Sequence, residues 1–158
     1  MKRALVALAL ALAGCAHGGM TTTGSVKIPA QPHAPLGLDG PKGLDDQQQS
    51  ILESALCQAM VEVNHGDVDC PSARLAALDL ARSRALMTGG EAPSADMATA
   101  RTPHHVLAEV TRSGADFVLK LTYFDALDGQ PKASAQLTQG SFDDLVIKAP
   151  DAAKALLQ

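Results

Sequence analysis

The stretch Phe117-Val118-Leu119-Lys120-Leu121-Thr122-Tyr123-Phe124 decides the fold that the sequence predicts. In an extended chain successive side chains point to opposite faces. The odd-numbered residues of this stretch are all apolar or aromatic, whereas the even-numbered ones include Lys120 and Thr122. This alternation predicts a β-strand with one buried face. Tyr123 and Phe124 then point to opposite sides, and we expect Phe124 to be exposed and available to a binding partner.

Two more strands are predicted on either side of the first, from Val106 to Arg112 and from Lys132 to Gln139. The dipeptides Ser113-Gly114 and Asp128-Gly129 stand between them, and Asp-Gly is a frequent hairpin turn. The three strands predict an antiparallel meander. With helices on both sides along the chain, we expect an α+β fold: a three-stranded antiparallel meander, with one or two short strands, packed against two or three helices.

Helical spacing of apolar residues appears in three places. Residues 46–60 predict a first helix that begins at Asp45 and Asp46. A short strand at Val68 to Cys70 precedes a second helix, which opens at Pro71-Ser72 and stops at Gly89-Gly90. Near the C-terminus, Ser141 and Asp144 resemble a capping box. Because proline breaks helices, Pro150 predicts a short helical turn from Ser141 and a separate terminal helix that starts near Pro150.

Two cysteines lie within the region of the first two helices. Cys57 points away from the apolar stripe of the first helix, and Cys70 follows a predicted turn that includes His65. We expect a disulfide between Cys57 and Cys70, since cysteines in an exported protein pair readily. The alternative is a metal site that adds His65, but two cysteines and one histidine at this spacing match no zinc pattern. We therefore expect no metal and no cofactor.

The N-terminus predicts export and lipid attachment. Lys2 and Arg3 precede an apolar run from Ala4 to Ala13, which is too short to span a bilayer and is typical of a signal peptide. Leu12-Ala13-Gly14-Cys15 resembles the bacterial lipobox. That resemblance implies cleavage before Cys15 and acylation of Cys15, an anchor in which each methylene contributes about 0.8 kcal/mol. The alternative is an ordinary signal peptide with Cys15 incidental.

These features divide the chain into a signal peptide (1–14), a lipidated Cys15 with a flexible Gly/Pro-rich tether (15–44), and a small periplasmic α+β domain (45–158). Ser25 to Ile28 is the only strand-like piece expected in the tether. The resemblance to lipoproteins implies that Ala16, in place of aspartate, directs the protein to the periplasmic face of the outer membrane. The mature chain has 11 basic and 17 acidic residues, which argues against nucleic-acid binding.

The run from Gly114 to Leu121, followed by Phe124 to Gly129, resembles the second half of TolB amino-terminal-like domains. This superfamily includes CsgG and LpoB. The likeness is loose over 46–158 and best over 105–157, and it implies a periplasmic docking module without chemistry of its own. Two departures stand out. The strand that precedes the first helix in the family is missing or reduced to Val26-Lys27-Ile28, and the hairpins are too short to form a channel.

The sequence contains no nucleophile elbow, no zinc-protease motif and no phosphate-binding loop. His104 and His105 are adjacent at the start of a strand, so their rings should face opposite sides. The sequence favours a lipid-anchored, non-catalytic interaction protein that binds another envelope protein. The alternative is a small lipid-anchored hydrolase or metal-dependent enzyme, which requires converging His, Asp or Ser side chains.

Overall fold

The computed structural model describes residues 18–24, 26, 36–64, 68–93, 102, 104–125 and 129–158. These residues form six strands and three helices. In chain order they are β1 (Gly19–Thr23), β2 (Leu36–Lys42), α1 (Asp46–Asn64), β3 (Val68–Asp69), α2 (Pro71–Thr88), β4 (His104–Ser113), β5 (Asp116–Phe124), β6 (Pro131–Gln139) and α3 (Phe142–Leu157). The fold is therefore α+β, as predicted.

The strands form one mixed sheet in the order β1-β6-β5-β4-β2-β3. β4, β5 and β6 pair antiparallel, and β1 joins the outer edge of β6, also antiparallel. β2 pairs parallel with both β3 and β4. The predicted three-stranded antiparallel meander is thus wrong for the sheet as a whole. It describes only the stretch β4-β5-β6, because the sequence at β1 and β2 carries little of the alternation on which strand prediction depends.

The predicted middle strand is confirmed as β5, at the centre of the antiparallel part. Its odd-numbered side chains from Phe117 to Tyr123 are buried, and Lys120 on the other face is exposed. β4, β6, α1 and α3 complete a single core on this face. Its largest fully buried side chains include Leu36, Leu38, Leu52, Leu56, Met60, Leu119, Leu121, Leu145 and Leu156.

The predicted flexible tether over 15–44 is wrong for residues 36–42, which form β2 inside the sheet. Leu36 and Leu38 are almost completely buried, although the segment contains two glycines and a proline. A Cβ added at Gly40 would collide with the carbonyl oxygen of Ala108 on β4, and Gly40 has a φ of 98°. The glycine therefore allows a close approach of two backbones. β2 is thus a strand before the first helix, where the sequence predicts that strand to be missing or reduced to Val26-Lys27-Ile28.

The tether prediction is also wrong for β1, which pairs with β6 from Gly19↔Thr138 to Thr23↔Ser134. Its three consecutive threonines are β-branched residues, which favour strands. All five residues of β1 are exposed, as expected of an edge strand. Of the predicted strand-like piece Ser25 to Ile28, only Val26 lies among the described residues. It is outside any strand, and its N–H donates to the carbonyl of Leu156.

The first helix is confirmed and is longer than predicted, since α1 continues to Asn64. The Asp45 carboxylate accepts the N–H of Gln48 at 2.9 Å and caps the helix start. α1 packs against α3, and Lys154 Nζ lies 2.7 Å from Glu62 Oε2. Their hydrogen bond and charge attraction lower the pKa of Glu62 and raise the pKa of Lys154.

The C-terminal helix differs from its prediction. Ser141 caps it as predicted: its Oγ accepts the N–H of Asp144 at 3.1 Å and donates to the Asp144 carboxylate at 2.7 Å, although no bond from the N–H of Ser141 completes a capping box among the described residues. The expected break at Pro150 is wrong, because α3 runs without interruption from Phe142 to Leu157. Its buried stripe of Leu145, Ala149, Ala152, Ala153 and Leu156 continues across the proline. Burial of this stripe outweighs the loss of one helical hydrogen bond at Pro150.

α2 stands apart from the core. The links β2-α1-β3 and β3-α2-β4 join parallel strands but cross the sheet in opposite directions. Because such crossovers are almost always right-handed, α1 and α2 are expected on opposite faces of the sheet. No residue of α2 belongs to the core cluster of the described residues, although Leu78 and Ala85 are buried. α2 ends as predicted at Gly89, whose φ is 69°.

Candidate functional site

The joint between α1 and α2 contains the predicted disulfide. Cys57 on α1 and Cys70, the residue before α2, are bonded with a Cα–Cα distance of 6.3 Å. Cys57 is half-buried at the margin of the core, and Cys70 is buried. The disulfide fastens a helix outside the core to a helix within it, so the relative position of α1 and α2 is constrained at this point.

Arg74, in the first turn of α2, links the start of this helix to the sheet. Its Nη2 donates to the carbonyl oxygen of Leu38 on β2 at 2.9 Å, and its Nε lies 3.2 Å from Asp69 Oδ1 on β3. One of these contacts is thus made to a backbone group of the sheet. The start of α2 is therefore held by a covalent bond at Cys70 and by the contacts of Arg74 with the sheet.

A small polar cluster lies where β4 begins and β5 ends. His104 Nδ1 is 3.0 Å from the Tyr123 hydroxyl and 3.5 Å from Asp125 Oδ1. Burial, and to a lesser extent the negative charge of Asp125, raise the pKa of Tyr123. The arrangement can hold and orient a hydrogen-bonded proton. Tyr123 is almost fully buried, however, so the cluster offers little surface to a substrate.

His105 and Phe124 form a second pair on the opposite face of the sheet. Their rings stack with centroids 5.1 Å apart, and the His105 Nδ1 is 3.2 Å from the Thr102 carbonyl oxygen. The prediction that His104 and His105 point to opposite sides is confirmed. Phe124 is half-buried under the histidine and is less exposed than the sequence indicated. Its role in binding a partner stays a prediction.

Two residues from the sequence analysis and two kinds of feature complete the description of the predicted sites. Cys15 and His65 lie outside the described residues. Within the described ranges, no three His, Cys, Asp or Glu side chains are grouped closely enough to hold a metal ion. Across the same ranges, none of the helices combines the length and the apolar character needed to cross a bilayer.

A groove that the sequence did not predict lies between the amino-terminal halves of α1 and α3. The groove has a volume of about 390 Å³ and is lined by Gln47, Gln48, Ile51, Phe142, Asp143, Val146 and Ile147. Ile51 and Ile147 remain 45% and 68% exposed. The apolar residues Ile51, Phe142, Val146 and Ile147 are called the α1/α3 groove below. The sequence predicted Ile51 to be buried, and the groove instead leaves it at the surface.

α2 carries the second apolar surface. Leu75, Leu80, Leu86 and Met87 are exposed, and Leu86 and Met87 reach 83% and 87%. These four residues are called the α2 surface below. Leu75 and Leu86 were expected on the buried side of the helix, with Leu78 and Ala85. The signal in the sequence was that leucines occur around more than one side of α2, so a single buried stripe cannot accommodate all of them.

No protein-family model matches the chain, and no curated protein sequence matches it. Solved structures with a similar fold include two of PelC. One is a single-substitution variant of the PelC dodecamer from Paraburkholderia phytofirmans, with 11% sequence identity, a TM-score of 0.54, and coverage of 89% of this chain and 98% of that chain. The other is the PelC dodecamer from the same organism, with 12% identity, a TM-score of 0.54, and coverage of 90% and 100%. At this identity the similarity shows the fold alone.

Proposed function

We propose that this chain is a lipid-anchored protein of the periplasmic face of the outer membrane, where it acts as a non-catalytic interaction module. The observation that carries the proposal is the lipobox-like Leu12-Ala13-Gly14-Cys15 followed, four residues later, by the first strand of the domain at Gly19. An apolar run, a lipidation signal and a folded module in immediate succession are what an anchored adaptor requires.

The start of β1 brings the domain close to the membrane. An extended chain spans at most about 3.6 Å per residue, so Gly19 lies within about 14 Å of an acylated Cys15. Gly19 pairs with Thr138, and α3 begins just beyond β6. The lipid therefore attaches at the end of the sheet where α3 begins. This replaces the long spacer expected from sequence by a short link, which holds the domain at the bilayer surface.

At the same end of the sheet acidic residues outnumber the basic Lys42 and Arg112. Asp45 and Asp46 stand at the start of α1, Asp116 at the start of β5, and Asp143 and Asp144 in the first turn of α3. Anionic lipid head groups repel such a cluster, because membrane surfaces attract basic rather than acidic segments. Acyl chains on Cys15 would hold the domain at the membrane, and its surfaces would be left to bind proteins.

Two further observations support a docking function. β2 provides the strand before the first helix that TolB amino-terminal-like domains have, which removes one of the two departures from that resemblance. The PelC structures that share the fold are dodecamers. We propose that the partners of this chain include an envelope protein and further copies of the chain itself.

The anchor is tested by incorporation of radiolabelled palmitate, together with membrane fractionation. We expect the wild-type chain to be labelled and to sediment with membranes, and Cys15→Ala to lose both properties. The Cys57→Ala/Cys70→Ala double variant serves as the matched control, because it removes two cysteines but keeps Cys15. A soluble wild-type chain that bears a free thiol at Cys15 would overturn the anchor.

The interaction function has a separate test. Envelopes are crosslinked in intact cells, the tagged chain is purified under denaturing conditions, and its partners are identified. We expect the same envelope protein, or copies of the chain, in repeated experiments and their loss with Cys15→Ala. Recovery of the uncrosslinked monomer alone from correctly anchored protein would overturn the proposal that it is an interaction module.

A further inference from the structure

We propose that the α1/α3 groove binds an acyl chain of the protein's own lipid anchor, so that the lipid on Cys15 also fixes the orientation of the domain on the membrane. The inference rests on the proposed function, because it requires that Cys15 is acylated. It goes further by assigning a ligand to the groove, namely a hydrocarbon chain that is attached to the amino end of the same molecule.

The first argument is the place where the described chain begins. Gly18 lies against Gln139, the last residue of β6, so closely that a Cβ added at Gly18 would collide with the Gln139 side chain. Phe142 follows Gln139 by three residues, begins α3 and lines the groove. Its ring also packs against Phe117, which pairs with Gln139. The amino end of the described chain therefore stands at the end of the sheet where the groove lies.

The second argument is reach. Cys15 precedes Gly18 by three residues, and an extended chain spans at most about 3.6 Å per residue, so the two lie within about 11 Å of each other. An acyl chain reaches about 15 Å further, which is half the thickness of the hydrocarbon core of a bilayer. The groove lies within this combined reach, since Phe142 is at most about 11 Å from Gln139 along the chain. The covalent link also keeps the acyl chain at a high local concentration beside the groove.

The third argument is the apolar surface of the groove. Ile51 and Ile147 remain 45% and 68% exposed, and Phe142 and Val146 are partly buried against the core. Transfer from the bilayer to the groove moves an acyl chain between two apolar environments. The net gain is therefore the apolar surface of Ile51 and Ile147 that leaves water when the chain covers it.

Charge favours an acyl chain of the anchor over the bilayer itself as the occupant. Among the described residues that line the groove, Asp143 alone is charged, and Asp144 follows it in the first turn of α3. Anionic head groups would approach these carboxylates unfavourably. The lipobox resemblance implies a diacylglycerol on the Cys15 sulfur and a further acyl chain on its amino group, and none of these carries a charge. Two acyl chains already give stable anchoring, so a further one is free to leave the bilayer.

The α2 surface is not an alternative site for this acyl chain. β3, which precedes α2, pairs with Leu36 and Gly37 at the start of β2. β4, which follows α2, begins at His104 opposite Leu36. Both strands that are connected to α2 thus meet β2 at the end of the sheet away from Gly18. The groove is the exposed apolar surface on the side of the anchor.

Photo-crosslinking from the anchor tests the inference with the full-length chain in its membrane. Cells are grown with a palmitate analogue that carries a diazirine near its methyl end, membranes are irradiated, and the purified chain is digested and its crosslinked peptides are identified. We expect the Cys15 peptide to be joined to a peptide that contains Ile51 or Ile147, in a product with the mass of one chain. Groove peptides joined to a phospholipid would overturn the inference, and so would a product with the mass of two chains or label on Cys15 that reaches no groove peptide. A chain without label on Cys15 would overturn the anchor and this inference together.

A substitution in the groove and one outside it provide the control pair. Ile147→Gln should lower the crosslinked fraction of the labelled chain about fivefold or more, because it removes the most exposed apolar contact of the groove. Val61→Gln should leave that fraction unchanged, since Val61 is an exposed apolar residue of α1 that does not line the groove. Thiol labelling before reduction, with Cys57 and Cys70 blocked, shows that each variant is folded. Equal crosslinking of folded Ile147→Gln and wild-type protein would overturn the assignment of the groove.

Discussion

The side-chain carboxylate of Glu53 on α1 accepts a hydrogen bond from the backbone N–H of Ser72 in the first turn of α2, at 2.8 Å. Helix starts leave such N–H groups without partners inside the helix, and a capping side chain usually satisfies one. Cys70 occupies the capping position of α2 but makes no side-chain capping bond. Glu53 thus provides from another helix the acceptor that the local sequence lacks. Its negative charge at a helix start is also favourable.

Loss of this acceptor should weaken the domain. We expect Glu53→Ala to lower the free energy of unfolding by about 1.5–3 kcal/mol, the range for hydrogen bonds to charged groups. Glu53→Gln keeps an acceptor oxygen and should cost less. Urea unfolding of the oxidised protein measures both, with the exposed neighbour Ser54→Ala as control. Equal stability of Glu53→Ala and Ser54→Ala would show that the bond contributes nothing.

The disulfide should contribute separately from Glu53. Cys57 and Cys70 are 13 residues apart, and closing a loop of that size stabilises the folded state by about 3 kcal/mol. We expect the Cys57→Ala/Cys70→Ala variant to lose about that amount in urea unfolding. Thiol labelling of the unreduced wild-type protein should leave both cysteines unmodified, and reduction should expose them. Labelling of both before reduction would refute the bond.

The ionisation of Tyr123 can be followed directly, because it is the only tyrosine and the chain has no tryptophan. Burial, and then the charge of Asp125, raise the pKa of Tyr123 above its usual value of 10.0. Phenolate absorbance should therefore appear at higher pH than in the unfolded chain. Stability is unaffected below the unfolded pKa and falls as the pH rises from there towards the folded pKa.

Asp125→Asn isolates the smaller cause of this shift. The variant should lower the Tyr123 pKa only in part, because burial is the larger cause. Glu109→Gln removes an exposed carboxylate elsewhere on the sheet and should leave the pKa unchanged. A phenolate midpoint at the unfolded value in wild-type protein would contradict the burial of Tyr123 beside His104.

Replacement of Pro150 in α3 should stabilise the protein. The proline has no N–H to donate to the carbonyl of Val146, one helical turn earlier, so Pro150→Ala allows that bond to form. We expect the free energy of unfolding to rise by about 1–3 kcal/mol, less than the full cost of an interior proline because alanine also frees the unfolded chain. Pro71→Ala is the matched control. Pro71 opens α2, where the missing N–H costs nothing, and its replacement should not stabilise. A neutral Pro150→Ala would show that packing has already compensated.

The sequence predicted the parts of the fold whose residues alternate or repeat strongly. β5 and α1 were found with small errors at their ends, because apolar burial governs every position in them. β2 was missed, since its burial depends on two leucines while its glycines and proline resemble a linker. The role of Gly40 is visible only in the folded structure, where it allows the backbone of β4 to approach closely.

The site was harder to foresee than the fold. The pairing of Cys57 with Cys70 followed from their number and spacing. The α1/α3 groove joins residues almost a hundred positions apart, and no local pattern relates Ile51 to Ile147. The uninterrupted α3 also depended on distant residues, because the core that α3 covers outweighs the local effect of Pro150.

The order of the strands has a consequence for biogenesis. β1 and β2 are synthesised first, but their neighbours β6 and β4 are synthesised only after α1 and α2. Met20 on β1 therefore cannot pair until Leu137 on β6 has been synthesised. Contacts between such distant residues slow folding. A polypeptide that crosses a membrane from its amino end must therefore pass through almost completely before the sheet can close. A secretion signal at the amino end of such a polypeptide would be read while the rest of the chain is still unfolded.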